Sequence, residues 1–239
     1  MENKVSRPIW RRNLYVLWGC TFVAGIAFSE VGPFLSLFIS QIGDFSHQEL
    51  NFYSGIIYAV SFLVTAFMAP LWGKLAGNRG HRIILFVTAG GMAIIYILTG
   101  FVHNVVLLFL ARAAIGAFSG YIPNAQALVA AQVPRDKSGR LLGTLMTGST
   151  SGVLVGPVLG GVLSHIFSIR QTFFITGGLL LIVAFLSVSL VKEHVPDGKT
   201  VATHTKRKGG LLKQFSNPRL IMVLLISTLI VQLGNSSIF

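Results

Sequence analysis

The stretch Leu141-Leu-Gly-Thr-Leu-Met-Thr-Gly148-Ser-Thr-Ser-Gly152-Val-Leu-Val-Gly156-Pro157-Val-Leu-Gly160-Gly161-Val-Leu163 carries no charged side chain. It is long enough to cross a hydrocarbon core as a helix, which takes about 20 residues. Its glycines at 148, 152, 156 and 160 recur every four residues, so they line one helix face and let another helix approach to backbone contact. Pro157 cannot donate to the carbonyl of Val153, and the helix is expected to bend there.

Six other runs read the same way: Tyr15–Ile39, Phe52–Leu71, Ile83–Val102, Val105–Gln126, Gln171–Val191 and Leu220–Phe239. Period-two alternation over ten-residue segments is almost absent, which disfavours a membrane barrel and favours a bundle of helices. Composition agrees. The 239 residues are 53% hydrophobic and 11% charged, with mean hydropathy +0.73, against roughly 25% charged in a soluble domain. A soluble globule and a disordered chain are both excluded. The single cysteine, Cys20, lies in an apolar run, so an internal disulfide is impossible. Arg11 and Arg12 precede an apolar run, but Tyr15–Ile39 exceeds the 7–15 residues of a signal-peptide core and is read as the first membrane helix.

All Lys and Arg except Arg112 and Arg170 fall in alternate connections on one side of the bundle, the side that also holds the N-terminus. By the positive-inside rule that side is cytoplasmic. The net charge of +12 is therefore a topology signal and points to no nucleic acid. The expected organisation is all-α and integral to a membrane. Residues 1–191 form an N-terminal six-helix domain, residues 192–219 a basic cytoplasmic linker, and residues 220–239 a seventh helix that starts a second, truncated domain. Lys206-Arg207-Lys208 reads first as part of a solvated linker with an orientation role, with anionic-lipid attraction as the alternative.

Charge inside a bilayer is costly and marks function by default. Two such residues stand well inside the runs, Glu30 in the first and Arg112 in the fourth. Counting from the outer helix ends places Glu30 roughly 14 Å and Arg112 roughly 10 Å deep, so the two could meet at similar depth. A buried carboxyl that alternates between a dry and an Arg-paired setting can load and release a proton. The plainer alternatives are a static pair, or a protonated Glu30 hydrogen-bonded to a neighbouring helix. Pro33 leaves the carbonyl of Ser29 free one residue from Glu30, a break tolerated where helices line a cavity. Gly116 and Gly120 read as core packing.

Gly152-Val-Leu-Val-Gly156-Pro157-Val-Leu-Gly160-Gly161 matches GxxxGPxxGG, the antiporter motif of the 12-helix drug:proton antiporter branch of the major facilitator superfamily. Leu108-Phe-Leu-Ala-Arg112-Ala-Ala-Ile115-Gly116 is similar to that branch's LxxxRxxQG, with Ile115 in place of Gln. Trp72–Arg82, between the second and third helices, resembles the cytoplasmic gating signature GxLaDrxGrr. Gly73, Leu75, Gly80 and Arg82 fit it, while Gly77 replaces the Asp and His81 an Arg. Tyr121-Ile-Pro-Asn-Ala-Gln-Ala-Leu and Gln132-Val-Pro-Arg-Asp-Lys-Ser-Gly resemble bacterial efflux pumps of the fluoroquinolone-exporting type. The resemblance spans essentially the whole chain. It implies alternating access between two six-helix halves in the cell membrane, with uptake of protons exchanged for an outgoing amphipathic drug. Phe34, Phe118 and Tyr121 would supply adaptable apolar lining, and the C-terminal half is expected in the complete protein.

Other classes fit less well. A seven-helix receptor has its N-terminus outside, and the seventh run holds no Lys for a retinal Schiff base. The six histidines lie in or near connections without metal-ligand spacing, so neither an enzyme, a metal site nor a cofactor is expected. A truncated half-transporter that does not transport, and a carrier of sugars or metabolites, remain as alternatives.

Overall fold

Capping chemistry sets where several helices begin. The computed structural model describes residues 9–32, 35–134 and 136–193, all within the first of two compact units, Met1–Val201 and Ala202–Phe239. Among the described residues there is no strand, and the helices are α1 (Ile9–Ser29), α2 (Leu35–Ile42), α3 (His47–Arg79), α4 (His81–Gly100), α5 (Val105–Phe118), α6 (Tyr121–Gln132), α7 (Ser138–Ile166) and α8 (Ile169–Ser189). Ser46 and Glu49 form a capping box at α3: Ser46 Oγ accepts from the Glu49 N–H, and the Glu49 carboxylate accepts from the Ser46 N–H at 2.9 Å. Asn104 and Ser168 cap α5 and α8 through side-chain oxygens that accept from Val106 and Gln171 N–H. The predicted seventh helix at 220–239 lies outside the described residues, as does all of the predicted linker except Lys192 and Glu193.

The helical reading holds, with different boundaries. Among the described residues, five helical stretches are long and apolar enough to cross a membrane: α3, α4, Val105–Gln132, α7 and α8. The first run is not one helix, because α1 stops at Ser29 and α2 starts at Leu35. Ser29 Oγ donates back to the Gly25 carbonyl at 3.0 Å, and the Ser29 carbonyl would need a donor from residue 33, a proline without one. The fourth run divides at Ser119–Gly120. Trp72–Arg79 belongs to α3 and His81–Arg82 to α4, so the expected connection between the second and third runs is Gly80 alone. Gly80 has φ +88°, which glycine adopts without the cost a Cβ imposes.

Three helix pairs carry the packing: α1 on α7, α4 on α8 and α3 on α5. The α1–α7 seam is built on glycine. A Cβ on Gly148 would sit 2.7 Å from the Trp18 carbonyl oxygen, and one on Gly25 would sit 2.5 Å from that of Ser149. Gly152, Gly156 and Gly160 are buried. The α3–α5 seam uses polar side chains against backbone. Ser61 Oγ donates to the Arg112 carbonyl at 3.1 Å, Thr65 Oγ1 lies 3.1 Å from the Gly116 carbonyl, and Trp72 Nε1 donates to that of Ala117 at 2.6 Å. Such bonds hold helices together where water offers no competition.

Among the described residues hydrophobic burial is divided between two large clusters and a small one of Trp72, Ala76 and Ile84. One gathers Phe38, Tyr96 and Phe173, with the Phe38 and Phe173 rings edge to face at 5.1 Å. The other gathers Leu17, Cys20, Tyr121, Leu128 and Leu145. The exterior is apolar too: Phe67, Leu154, Val158 and Phe185 are each about two-thirds exposed or more. Such a surface suits hydrocarbon as solvent.

Candidate functional site

Helix α1 ends in the middle of the bundle, and that end positions Glu30. Its N–H still bonds the Ile26 carbonyl at 2.9 Å, while its side chain, 1% exposed, turns toward α8, where Thr176 Oγ1 donates to Oε2 at 2.8 Å. Oε1 is buried with no hydrogen-bond partner. Beside it, the Tyr96 hydroxyl of α4 donates to the Ala27 carbonyl near the same helix end. Arg112 enters from α5. The residue is 5% exposed, and its Nε and Nη2 are buried without hydrogen-bond partners among the described residues. The two charged residues do not pair in this conformation, because Thr176 holds one carboxylate oxygen and the other makes no hydrogen bond.

Arg112 instead lines a cavity of about 20 Å³ with Phe28, Tyr58, Ser61, Phe62, Tyr96 and Ile115. That volume exceeds the 10–15 Å³ a single water needs. Tyr58 and Phe62 are each close to half exposed and form the rim. Phe62 meets Phe28 edge to face at 5.6 Å and Tyr58 at 5.0 Å. Neither Phe118 nor Tyr121 is among the residues that line this cavity. Phe118 packs by Trp72 at 6.0 Å and fills the space beside Gly91, and Tyr121 is buried with its hydroxyl 2.8 Å from Ser187 Oγ. Phe34 and Pro33 lie outside the described residues.

The antiporter-motif glycines divide by environment. Gly152 and Gly156 meet the backbone of α1 at Ile26, directly behind Glu30, so the motif supports the helix end that carries the carboxyl. Gly161 has open space where a Cβ would stand. Pro157 lies inside α7, which continues through it.

The basic helix ends meet at one end of the bundle. Arg12 Nη2 donates to the Leu190 carbonyl at 2.9 Å. Buried Asn13 donates to Gln132 Oε1 at 2.7 Å and to the Lys192 carbonyl at 2.6 Å, and accepts from the Lys192 N–H at 3.1 Å. The Glu193 carboxylate accepts from the N–H groups of His81 (2.8 Å) and Arg82 (3.2 Å) at the start of α4, where unpaired N–H groups and the helix dipole favour an anion. The Arg82 guanidinium donates to the Val188 carbonyl. Of the gating-signature residues, Gly80 supplies the turn and Arg82 the bond to α8, Leu75 is half-buried, and Gly73 and Gly77 have open space beside them.

Several of these partners were not singled out from sequence. Thr172 and Thr176 are polar at four-residue spacing in an apolar run, a signal that could have marked one face of α8. Lys192 and Glu193 were assigned to the linker, yet their backbone and side chain fasten it to the bundle.

The chain matches the Major Facilitator Superfamily over residues 17–239. It is 42% identical over 234 residues to the multidrug resistance protein MdtG of Dickeya zeae, covering 98% of this chain and 57% of that protein. To the protein of the same name from Proteus mirabilis it is 40% identical, covering 100% of this chain and 59% of that protein. It spans rather more than half the length of these curated relatives. Among solved structures, an inward-facing bacterial homologue of the human lysosomal transporter Spinster superposes with TM-score 0.61 at 18% identity, covering 82% of this chain and 47% of that one. The human organic anion transporter MFSD10 superposes with TM-score 0.63 at 17% identity, covering 82% and 53%. At these identities the structures speak for the fold alone.

Proposed function

Because the chain belongs to the Major Facilitator Superfamily, we propose that it forms the first bundle of a proton-coupled exporter of amphipathic drugs that works by alternating access. The observation that carries this reading is the burial of Glu30 and Arg112 inside one membrane bundle, each with hydrogen-bonding capacity left open. A purely structural pair would close on itself, since an uncompensated charge in hydrocarbon costs several kcal/mol, roughly 3 at a helix centre on insertion scales. Open capacity suits groups that take a proton or a ligand in part of a cycle. The similarity to proteins named for multidrug resistance supplies the substrate class.

In this reading Glu30 exchanges the coupling proton, and the glycine seam of α7 with α1 positions its helix end. The basic end of the bundle faces the cytoplasm of a bacterial cell. Residues 220–239 begin the second half. Gly73, Leu75, Gly80 and Arg82 belong to the inward gate, with Glu193 as the partner that fixes it.

The test is norfloxacin export by the complete protein in proteoliposomes under an imposed proton gradient. Wild type is expected to move the drug against its gradient and to stop when a protonophore is added. Glu30→Gln should insert and bind but lose the response to the proton gradient. Undiminished proton-driven export in that variant would remove Glu30 from the coupling role.

A further inference from the structure

Thr176 departs from a habit that the other buried hydroxyls of α4 and α8 share. Thr88, Thr99, Thr172 and Ser187 each donate to the carbonyl four residues back in their own helix, at 2.7–3.1 Å, the usual resort of a hydroxyl inside a helix. Thr176, 2% exposed, donates across to Glu30 Oε2 at 2.8 Å instead. The Thr172 carbonyl is the acceptor its hydroxyl would otherwise use. A hydroxyl can donate one hydrogen bond and accept two, so it can serve a carboxylate as donor and a carboxylic acid as acceptor. We infer that Thr176 is the positioning residue of the proton site and holds Glu30 on α8 in both of its protonation states. The inference rests on the proposed coupling role of Glu30 and names what keeps that carboxyl in place while it loads and unloads.

The chemistry closes in both states. The ionised carboxylate accepts from the Thr176 O–H, as observed. When it takes a proton from a hydronium ion, one O–H bond forms on Glu30, one breaks on the hydronium, and water leaves. The new acid O–H donates to Thr176 Oγ. The threonine hydrogen then rotates about the Cβ–Oγ bond to the Thr172 carbonyl, which has a second lone pair beside the one the helix uses. The Thr176 hydroxyl is stranded in neither state, and stranding a buried polar group costs about 1–3 kcal/mol. The other groups around Glu30 lack this freedom. From α4 the Tyr96 hydroxyl is committed to the Ala27 carbonyl. From α5 Arg112 makes no hydrogen bond to the carboxylate and, with Tyr58 of α3, faces the cavity. From α7 comes glycine backbone, where a Cβ on Gly156 would lie 3.2 Å from the Glu30 N.

The test is infrared difference spectroscopy between acidic and alkaline buffer on the complete protein in phosphatidylcholine liposomes. The Glu30 carboxyl and carboxylate bands are assigned by their loss in Glu30→Gln. Thr176→Val should move both bands toward the positions of unbonded groups and slow proton-driven norfloxacin export about tenfold, the worth of one hydrogen bond to a charged group. Thr176→Ser, which keeps the hydroxyl, should restore the bands and the export rate. Thr172→Val, which removes a hydroxyl bonded to its own helix one turn away, should leave both bands in place. If Thr176→Val fails to insert, Thr176→Cys, with its weak donor and weak acceptor, carries the same expectation in smaller measure. Bands that stay put in the Val or Cys variant overturn the inference. A shift of the carboxylate band alone does so too, since Thr176 would then serve only the charged form, and so does a shift in Thr172→Val as large as that in Thr176→Val. Proton-driven export that survives Glu30→Gln removes the coupling role, while the bands still decide whether Thr176 holds the carboxyl. If no band disappears in Glu30→Gln, the carboxyl does not titrate and both readings fall.

Discussion

Two glycines of one motif are expected to respond to alanine in opposite directions. At Gly152 an added Cβ would lie 3.0 Å from the Ile26 N and closer still to the Phe22 carbonyl oxygen, both backbone atoms that cannot swing aside. Helices α1 and α7 must then separate. Overpacking of this kind costs about 1–3 kcal/mol, and the gain in helix propensity on replacing glycine, about 1 kcal/mol, offsets part of it. The net expectation is destabilisation of up to about 2 kcal/mol, or a melting temperature lower by up to roughly 6 °C in a protein of this size. At Gly161 nothing lies within 4 Å of the added atom, so only the propensity gain of about 1 kcal/mol remains and the melting temperature should hold or rise. Thermal unfolding in detergent, followed by monodispersity on a sizing column, reads both variants side by side. If Gly161→Ala lowers the melting temperature as much as Gly152→Ala, the close-packed α1–α7 seam is not what the motif glycines are for.

Other substitutions probe the remaining contacts by the same assay. Glu193→Ala removes the acceptor for two N–H groups at the start of α4 and should cost about 1 kcal/mol, the usual value of a lost cap. Gly80→Ala forces a side chain into φ +88° against the Glu193 carboxylate; it should cost about 1–2 kcal/mol from backbone strain and less in the Glu193→Ala background than alone, and strict additivity would refute the contact. Asn13→Leu leaves the Lys192 backbone and Gln132 without their buried partner and should destabilise by about 1–3 kcal/mol. A neutral result would mean that water takes over at this end. Thr176→Val, similar in shape but without the hydroxyl, should alter the pH dependence of export before it alters stability, because among the described residues it removes the one side chain hydrogen-bonded to Glu30.

The helical membrane bundle was legible because hydrocarbon tolerates few alternatives: uncharged runs of sufficient length can only be helices or a barrel, and the periodicity disfavoured the barrel. The α7 ridge was legible for a similar reason, since glycine at four-residue spacing has little other use in a helix. Helix ends were harder. Ser119–Gly120 interrupts a run that stays free of charge from Ala113 to Val133, and the depth estimate for Glu30 assumed a straight helix where α1 in fact stops at Ser29. Glu30 and Arg112 stood out by the cost of their charge, but the setting of Glu30 depends on Thr176 and Tyr96, residues that α8 and α4 bring to the end of α1 from well over 50 positions further along the chain. No local pattern encodes that meeting. The reach of Glu193 back to α4 escaped for the same reason.

The single-residue connection at Gly80 makes α3 a lever. At 1.5 Å per residue its 33 residues span about 50 Å, with the fulcrum at one end and the aromatic rim partway along. A swing of 5° at the fulcrum would carry the far tip through about 4 Å, more than the width of a water molecule. Rotation too slight to disturb the Glu193 bonds at the pivot would be magnified into an opening at the other end.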